Sequence, residues 1–88
     1  MSYTARLSKS FIKSVKVFPK DVKERIAESV KEILSNPYSG VQLVGGLKGF
    51  WKKRIGKYRI VYEIDEDNKL VLFLDVGLRS KIYSRMKR

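Results

Sequence analysis

The chain has 88 residues and contains no cysteine and no histidine. Without cysteine there is no disulfide, no thiolate metal site and no cysteine nucleophile. Without histidine the commonest general base and the commonest metal ligand are missing, and every Ser-His-Asp arrangement with them. The longest apolar run, Leu70–Leu74, falls far short of the roughly 20 residues that cross a bilayer. The opening stretch, MSYTARLSKSF, holds no apolar run of signal-peptide length. These absences predict a soluble, cytoplasmic protein with no cofactor, no metal and no membrane partner.

Acid is also scarce. Nine Asp and Glu stand against 20 Lys and Arg, a net charge of +11. Residues 1–20, 33–62 and 76–88 carry cations and no acid at all. The acids fall in Asp21–Glu32 and Glu63–Asp67, plus Asp75. An excess this large repels itself, and a polyanionic partner such as nucleic acid or the ribosome explains it best. The 43% hydrophobic content suits a globular chain rather than a disordered one. The length predicts one domain over residues 1–88 with a modest core.

Tyr3–Leu7 reads as a first strand. Ser8 caps a helix whose Phe11, Ile12, Val15 and Phe18 share one stripe, and Pro19 ends it. A second helix runs from about Lys20 to Leu34, with Val22, Ile26, Val30, Ile33 and Leu34 on its apolar side and Asp21 at its favoured N-terminal end. The segment VQLVGGLKGF has neither GxxxxGK[ST] nor GxGxxG spacing, so it reads as a loop feeding a strand. Three strands follow, Phe50–Ile55, Tyr58–Ile64 and Leu70–Val76, and a last helix over about Ser80–Lys87. LVLFLDV is apolar on both faces and belongs in a covered, central position. The expected class is α+β: a small, twisted, mainly antiparallel four-stranded sheet, an α-hairpin on one face and a short C-terminal helix.

Gly56-Lys57 suits a two-residue type II′ turn. That register sets Ile55 opposite Tyr58, Arg54 opposite Arg59, Lys53 opposite Ile60 and Lys52 opposite Val61. Alternation then gives Phe50, Lys52, Arg54, Arg59 and Val61 one face, and Trp51, Lys53, Ile55, Tyr58, Ile60, Tyr62 and Ile64 the other. The second set is apolar and belongs under the helices, which makes Trp51, Tyr58 and Tyr62 core residues rather than base-stacking platforms. Lys53 lays its stem there and sends its ammonium to the edge. The first set places Arg54 directly against Arg59, which destabilises a strand pair by up to about 1 kcal/mol. Folding gives no reason for that cluster. A phosphate laid across it does, through charge-assisted hydrogen bonds.

The stretch WKKRIGKYRIVY, followed by an apolar strand and VGLRSKIY, resembles the RelE toxins of bacterial and archaeal toxin–antitoxin systems. Lys53 departs from the usual apolar residue at its position, and the segment after Tyr83 is short. The resemblance implies a metal-independent endoribonuclease that cuts mRNA in the ribosomal A site and so inhibits translation. It implies a RelB-like antitoxin as partner, besides ribosome and mRNA. Carried over residue by residue, it assigns the catalytic set to Lys52, Arg54, Arg59, Arg79 and Tyr83. RNA binding is expected from these cations with Lys53, Lys57 and Lys81. Such a site would use the RNA's own 2′-OH as nucleophile. Arg59 and Arg79 would hold the phosphate, Arg54 or Lys52 would position the substrate or protonate the leaving oxygen, and Tyr83 would serve as base or stack on a base. Two alternatives share the fold or the charge: a ParE-like DNA gyrase poison, and a basic RNA-binding module without catalysis.

Overall fold

The computed structural model describes residues 3–43 and 49–86, with side chains as far as Ile82. The elements are β1 (Thr4–Leu7), α1 (Lys9–Lys16), α2 (Lys20–Ser35), a one-turn 3-10 helix (Pro37–Ser39), β2 (Val41–Gln42), β3 (Trp51–Ile55), β4 (Tyr58–Asp65), β5 (Leu70–Leu78) and α3 (Arg79–Met86). Ser8 caps α1: its backbone is extended and its side chain accepts from the Phe11 N–H at 3.0 Å. Pro19 precedes α2, and Asp21 lies in that helix's first turn.

The α+β class and the α-hairpin agree with the sequence reading, but the sheet has five strands rather than four. Its order is β1-β5-β4-β3-β2, and it is mixed, because β1 runs parallel to β5. The added strand, β2, pairs Val41 with Lys52 and Gln42 with Trp51. A strand of two residues has no periodicity to read. It forms because the 3-10 turn delivers the chain to the edge of β3. Gly40 is what lets it approach: a Cβ there would sit 2.6 Å from the Lys52 carbonyl oxygen and 2.3 Å from the Tyr62 hydroxyl.

The core lies between the sheet and the α1–α2 hairpin. Phe11, Val22, Ile26 and Ile33 from the helices meet Ile55, Ile60, Tyr62, Val71, Phe73 and Val76 from the strands. Ring contacts run Tyr38–Trp51–Tyr62–Phe73–Phe11 across this layer. The Tyr62 hydroxyl donates to the Pro37 carbonyl at 2.6 Å, and burial pushes its pKa up to about 12. Val61 points to the other face yet is 0% exposed, as is Ile82. Helix α3 packs on β4 and β5. Among the described residues no helix is long and apolar enough to cross a membrane.

Candidate functional site

The β3–β4 hairpin has the register its two-residue loop dictates. Trp51 pairs with Tyr62, Lys52 with Val61, Lys53 with Ile60, Arg54 with Arg59 and Ile55 with Tyr58. Gly56 has φ +58° and Lys57 does not share that left-handed conformation, as a type II′ turn requires. The Arg25 guanidinium lies over the turn, its Nη2 3.0 Å from where a Cβ on Gly56 would be.

Arg54 and Arg59 therefore stand side by side on the face away from the α-hairpin. Arg54 Nε donates to the Gly56 carbonyl at 3.1 Å, and Arg59 Nη1 donates to the Tyr58 carbonyl at 3.2 Å. Each guanidinium carries five donor N–H groups, and among the described residues each spends one of them on these backbone carbonyls. Neither makes a salt bridge: among the described residues these join Lys31 to Glu28, Lys53 to Glu32 and Lys69 to Glu66. Opposite Arg59 on β5 is Gly77, which puts no side chain beside the guanidinium. This is the glycine of the VGLR stretch.

Arg79 begins α3, two residues beyond Gly77, level with the hairpin turn. With Lys57, Leu78 and Ser80 it lines an open hollow of about 530 Å³. Lys57 also lies over the Tyr58 ring, 5.6 Å from its centre. Lys52, half-buried, occupies the same strand face as Arg54 and pairs with both Val61 and Val41. Lys81 is exposed on α3. Tyr83 falls within α3, but the expectation for its side chain lies outside the described residues, as do Gly45 and Gly46 of the glycine-rich stretch.

Lys53 is separated from this group. Alternation turns it toward the α-hairpin, where its Nζ meets Glu32 Oε1 at 3.5 Å with the lysine side chain 25% exposed. At the hairpin-turn end of the sheet Arg54 and Arg59 are thus opposed on one face and Lys57 and Arg79 line one hollow, while Lys52 lies further along β3 on the Arg54 face. The opposite end is acidic: Glu63, Asp65, Glu66 and Asp67 line a hollow of about 480 Å³ with Arg6, Leu70 and Leu72. There Glu66 accepts from the hydroxyls of Tyr3 at 2.8 Å and Tyr38 at 2.6 Å, and from the Lys69 ammonium. The Lys69 bond, then the two tyrosines, hold the Glu66 carboxyl down at about 2. Their bonds to Glu66 raise Tyr3 and take Tyr38 up to about 12. An anionic chain is attracted to one end of the molecule and repelled from the other.

Residues 5–83 match the family model described as ParE toxin of type II toxin-antitoxin system, parDE. A protein named toxin RelE4 from Methanocaldococcus jannaschii is 33% identical over 63 residues, which is 70% of this chain and 67% of that protein. The toxin–antitoxin complex RelBE2 of Mycobacterium tuberculosis contains a similar chain. It has TM-score 0.83 and 26% identity, covering 90% of this chain and 100% of that one. A doubly substituted Escherichia coli RelE in the free state has TM-score 0.82 and 20% identity over 99% of this chain and 94% of that one, a likeness of fold.

Proposed function

Because this chain belongs to the ParE toxin family of type II toxin–antitoxin systems, within the RelE/ParE superfamily, we propose that it is a ribosome-dependent endoribonuclease that cuts mRNA in the A site. The observation that carries this reading is the Arg54–Arg59 pair: two like charges set opposite each other, with no salt bridge to an acid among the described residues. A gripped phosphodiester is what makes such a pair favourable.

In the proposed reaction the ribose 2′-OH loses its proton and attacks the adjacent phosphorus in line. The P–O5′ bond breaks, leaving a 2′,3′-cyclic phosphate and a 5′-OH. Arg59 and Arg79 hold the phosphate and the negative charge that grows on it. Arg54 sets the position of the chain. Lys52 and Tyr83 are the titratable groups of the set, and the two proton transfers divide between them. The ribosome contributes by fixing the mRNA in reactive geometry, a large entropic term. The partner that restrains the toxin is a RelB-like antitoxin. Supporting this, the M. tuberculosis relative is a complex of toxin with antitoxin.

The test is cleavage of mRNA on programmed ribosomes by the purified chain, with the ends identified, beside an assay for gyrase-dependent DNA breaks. Cyclic-phosphate ends, lost in Arg59→Ala, are expected. DNA breaks with intact mRNA would replace this reading by the gyrase poison, and tight RNA binding with neither activity by the non-catalytic module.

A further inference from the structure

Asp75 is a carboxylate only 5% exposed, in a chain short of acids, and the proposed chemistry gives it no part. Its place on β5 is unusual. Val61 pairs with Asp75 and the next residue, Tyr62, pairs with Phe73, so Leu74 is an extra residue. This is a β-bulge. It explains why Phe73 and Val76, three residues apart, both enter the core with Tyr62 and Ile60. Uninterrupted alternation from Val71 and Phe73 would send positions 77 and 79 beneath the α-hairpin. The bulge reverses the phase. It places Gly77 opposite Arg59 and starts α3 with Arg79 level with the turn.

The groups that the bulge frees from the ladder are taken up by Asp75 and by α1. Asp75 Oδ1 accepts from the Val76 N–H at 2.8 Å and from the Ser14 hydroxyl at 2.9 Å. The Ser8 hydroxyl donates to the Leu74 carbonyl at 2.6 Å, while the Ser8 N–H continues the β1–β5 ladder onto the Phe73 carbonyl at 3.0 Å. A buried carboxylate is unfavourable unless hydrogen-bonded.

We propose that Asp75, clamped by Ser14, is a positioning residue: it locks the β5 bulge and so fixes Gly77 beside Arg59 and Arg79 at the cationic end of the sheet. It touches no substrate and acts through the two arginines. The catalytic consequence rests on the nuclease reading; the positional one does not.

The experiment compares wild type with Asp75→Ala, Asp75→Asn, Ser14→Ala and, as a control destabilised elsewhere, Val22→Ala in the core beneath α2. Thermal stability, kcat and KM for ribosomal mRNA cleavage, and arginine Nε–H NMR signals during titration with inorganic phosphate are measured. Misplaced phosphate-holding groups should lower kcat about 100-fold in Asp75→Ala with KM little changed. Asp75→Asn, which keeps an acceptor oxygen for Val76 and Ser14, should recover most of that loss. Ser14→Ala should fall between. Phosphate should shift the Arg59 and Arg79 signals together in wild type and no longer together in Asp75→Ala. A folded Asp75→Ala with wild-type kcat overturns the proposal, and so does an equal kcat loss in Val22→Ala. If wild type cuts no mRNA, the nuclease reading fails and the arginine signals alone decide: a wild-type phosphate response in Asp75→Ala overturns the lock, and its loss sustains it.

Discussion

Arg54 on β3 and Arg59 on β4 are directly opposed, and their guanidiniums bend to the carbonyls of Gly56 and Tyr58 around one turn. A hairpin that folded for its own sake would carry a neutral or oppositely charged pair there. The arrangement therefore trades stability for anion affinity, and the two are separable by mutation.

Replacing Arg54 by Thr should stabilise the free protein by up to about 1 kcal/mol at low ionic strength, because it removes the cross-strand repulsion. The gain should shrink as salt screens the pair. The same variant should bind RNA less well. Urea unfolding at low and high NaCl, with RNA affinity measured in parallel, checks both signs. A loss of stability at every salt concentration would mean that the pair is not repulsive.

Binding to single-stranded RNA should weaken with salt. If about four phosphates are neutralised, the slope of log K against log [salt] is about −3, and Arg59→Ala should reduce its magnitude by about 0.7. Lys53→Ala should leave the slope unchanged, since that lysine faces the α-hairpin and pairs with Glu32. An equal effect of the two variants would dissolve the distinction between the two faces of β3.

The hairpin was legible from the sequence because a two-residue loop beginning with Gly56 leaves one register, and that register fixes which side chains share a face. Lys53 illustrates the limit. Its face followed from alternation, but its partner Glu32 lies on α2, and helix–strand packing is not written in local periodicity. The bulge at Leu74 was hidden for a related reason. LVLFLDV is apolar on both faces, so a slip of one residue leaves no break in the pattern. Only the covering residues, Ser8 and Ser14 of the α1 region, reveal it. The parallel pairing of β1 with β5 joins segments more than sixty residues apart, beyond any short-range signal. At the site, the convergence of Arg54 with Arg59 was readable from the turn alone. The position of Arg79 depends on the bulge.

Gly40→Ala should destabilise the protein by about 1–3 kcal/mol, as overpacking does. The backbone at Gly40 is ordinary extended chain, so the penalty is contact and not strain. The new methyl would meet the Lys52 carbonyl and the Tyr62 hydroxyl. The Tyr62 side chain is held by Pro37 and buried, and the Lys52 carbonyl is backbone of β3. Chemical denaturation measures the effect. Adding Tyr62→Phe should relieve part of it, leaving the backbone contact.

The acidic end of the molecule should set its pH limits. Glu66 is held at about 2, below the carboxylate's usual 4.5, chiefly by Lys69 and then by Tyr38 and Tyr3. A depressed carboxyl binds fewer protons in the folded state than in the unfolded one, so its contribution is full above pH 4.5 and is lost as pH falls toward 2. The tyrosines have the opposite sense. Tyr38 is raised from 10 to about 12, so its contribution is present below pH 10 and lost as pH climbs toward 12. Tyr62, raised by burial, adds to the same alkaline loss without involving Glu66. Glu66→Gln should therefore flatten the acid limb between pH 4.5 and 2 and leave part of the alkaline limb, the part owed to Tyr62. Urea midpoints across the pH range in both proteins give the answer. An acid limb equally steep in Glu66→Gln would place the titrating group elsewhere, and the tie between β1, the 3-10 turn and the β4–β5 turn would then rest on the tyrosine hydroxyls alone.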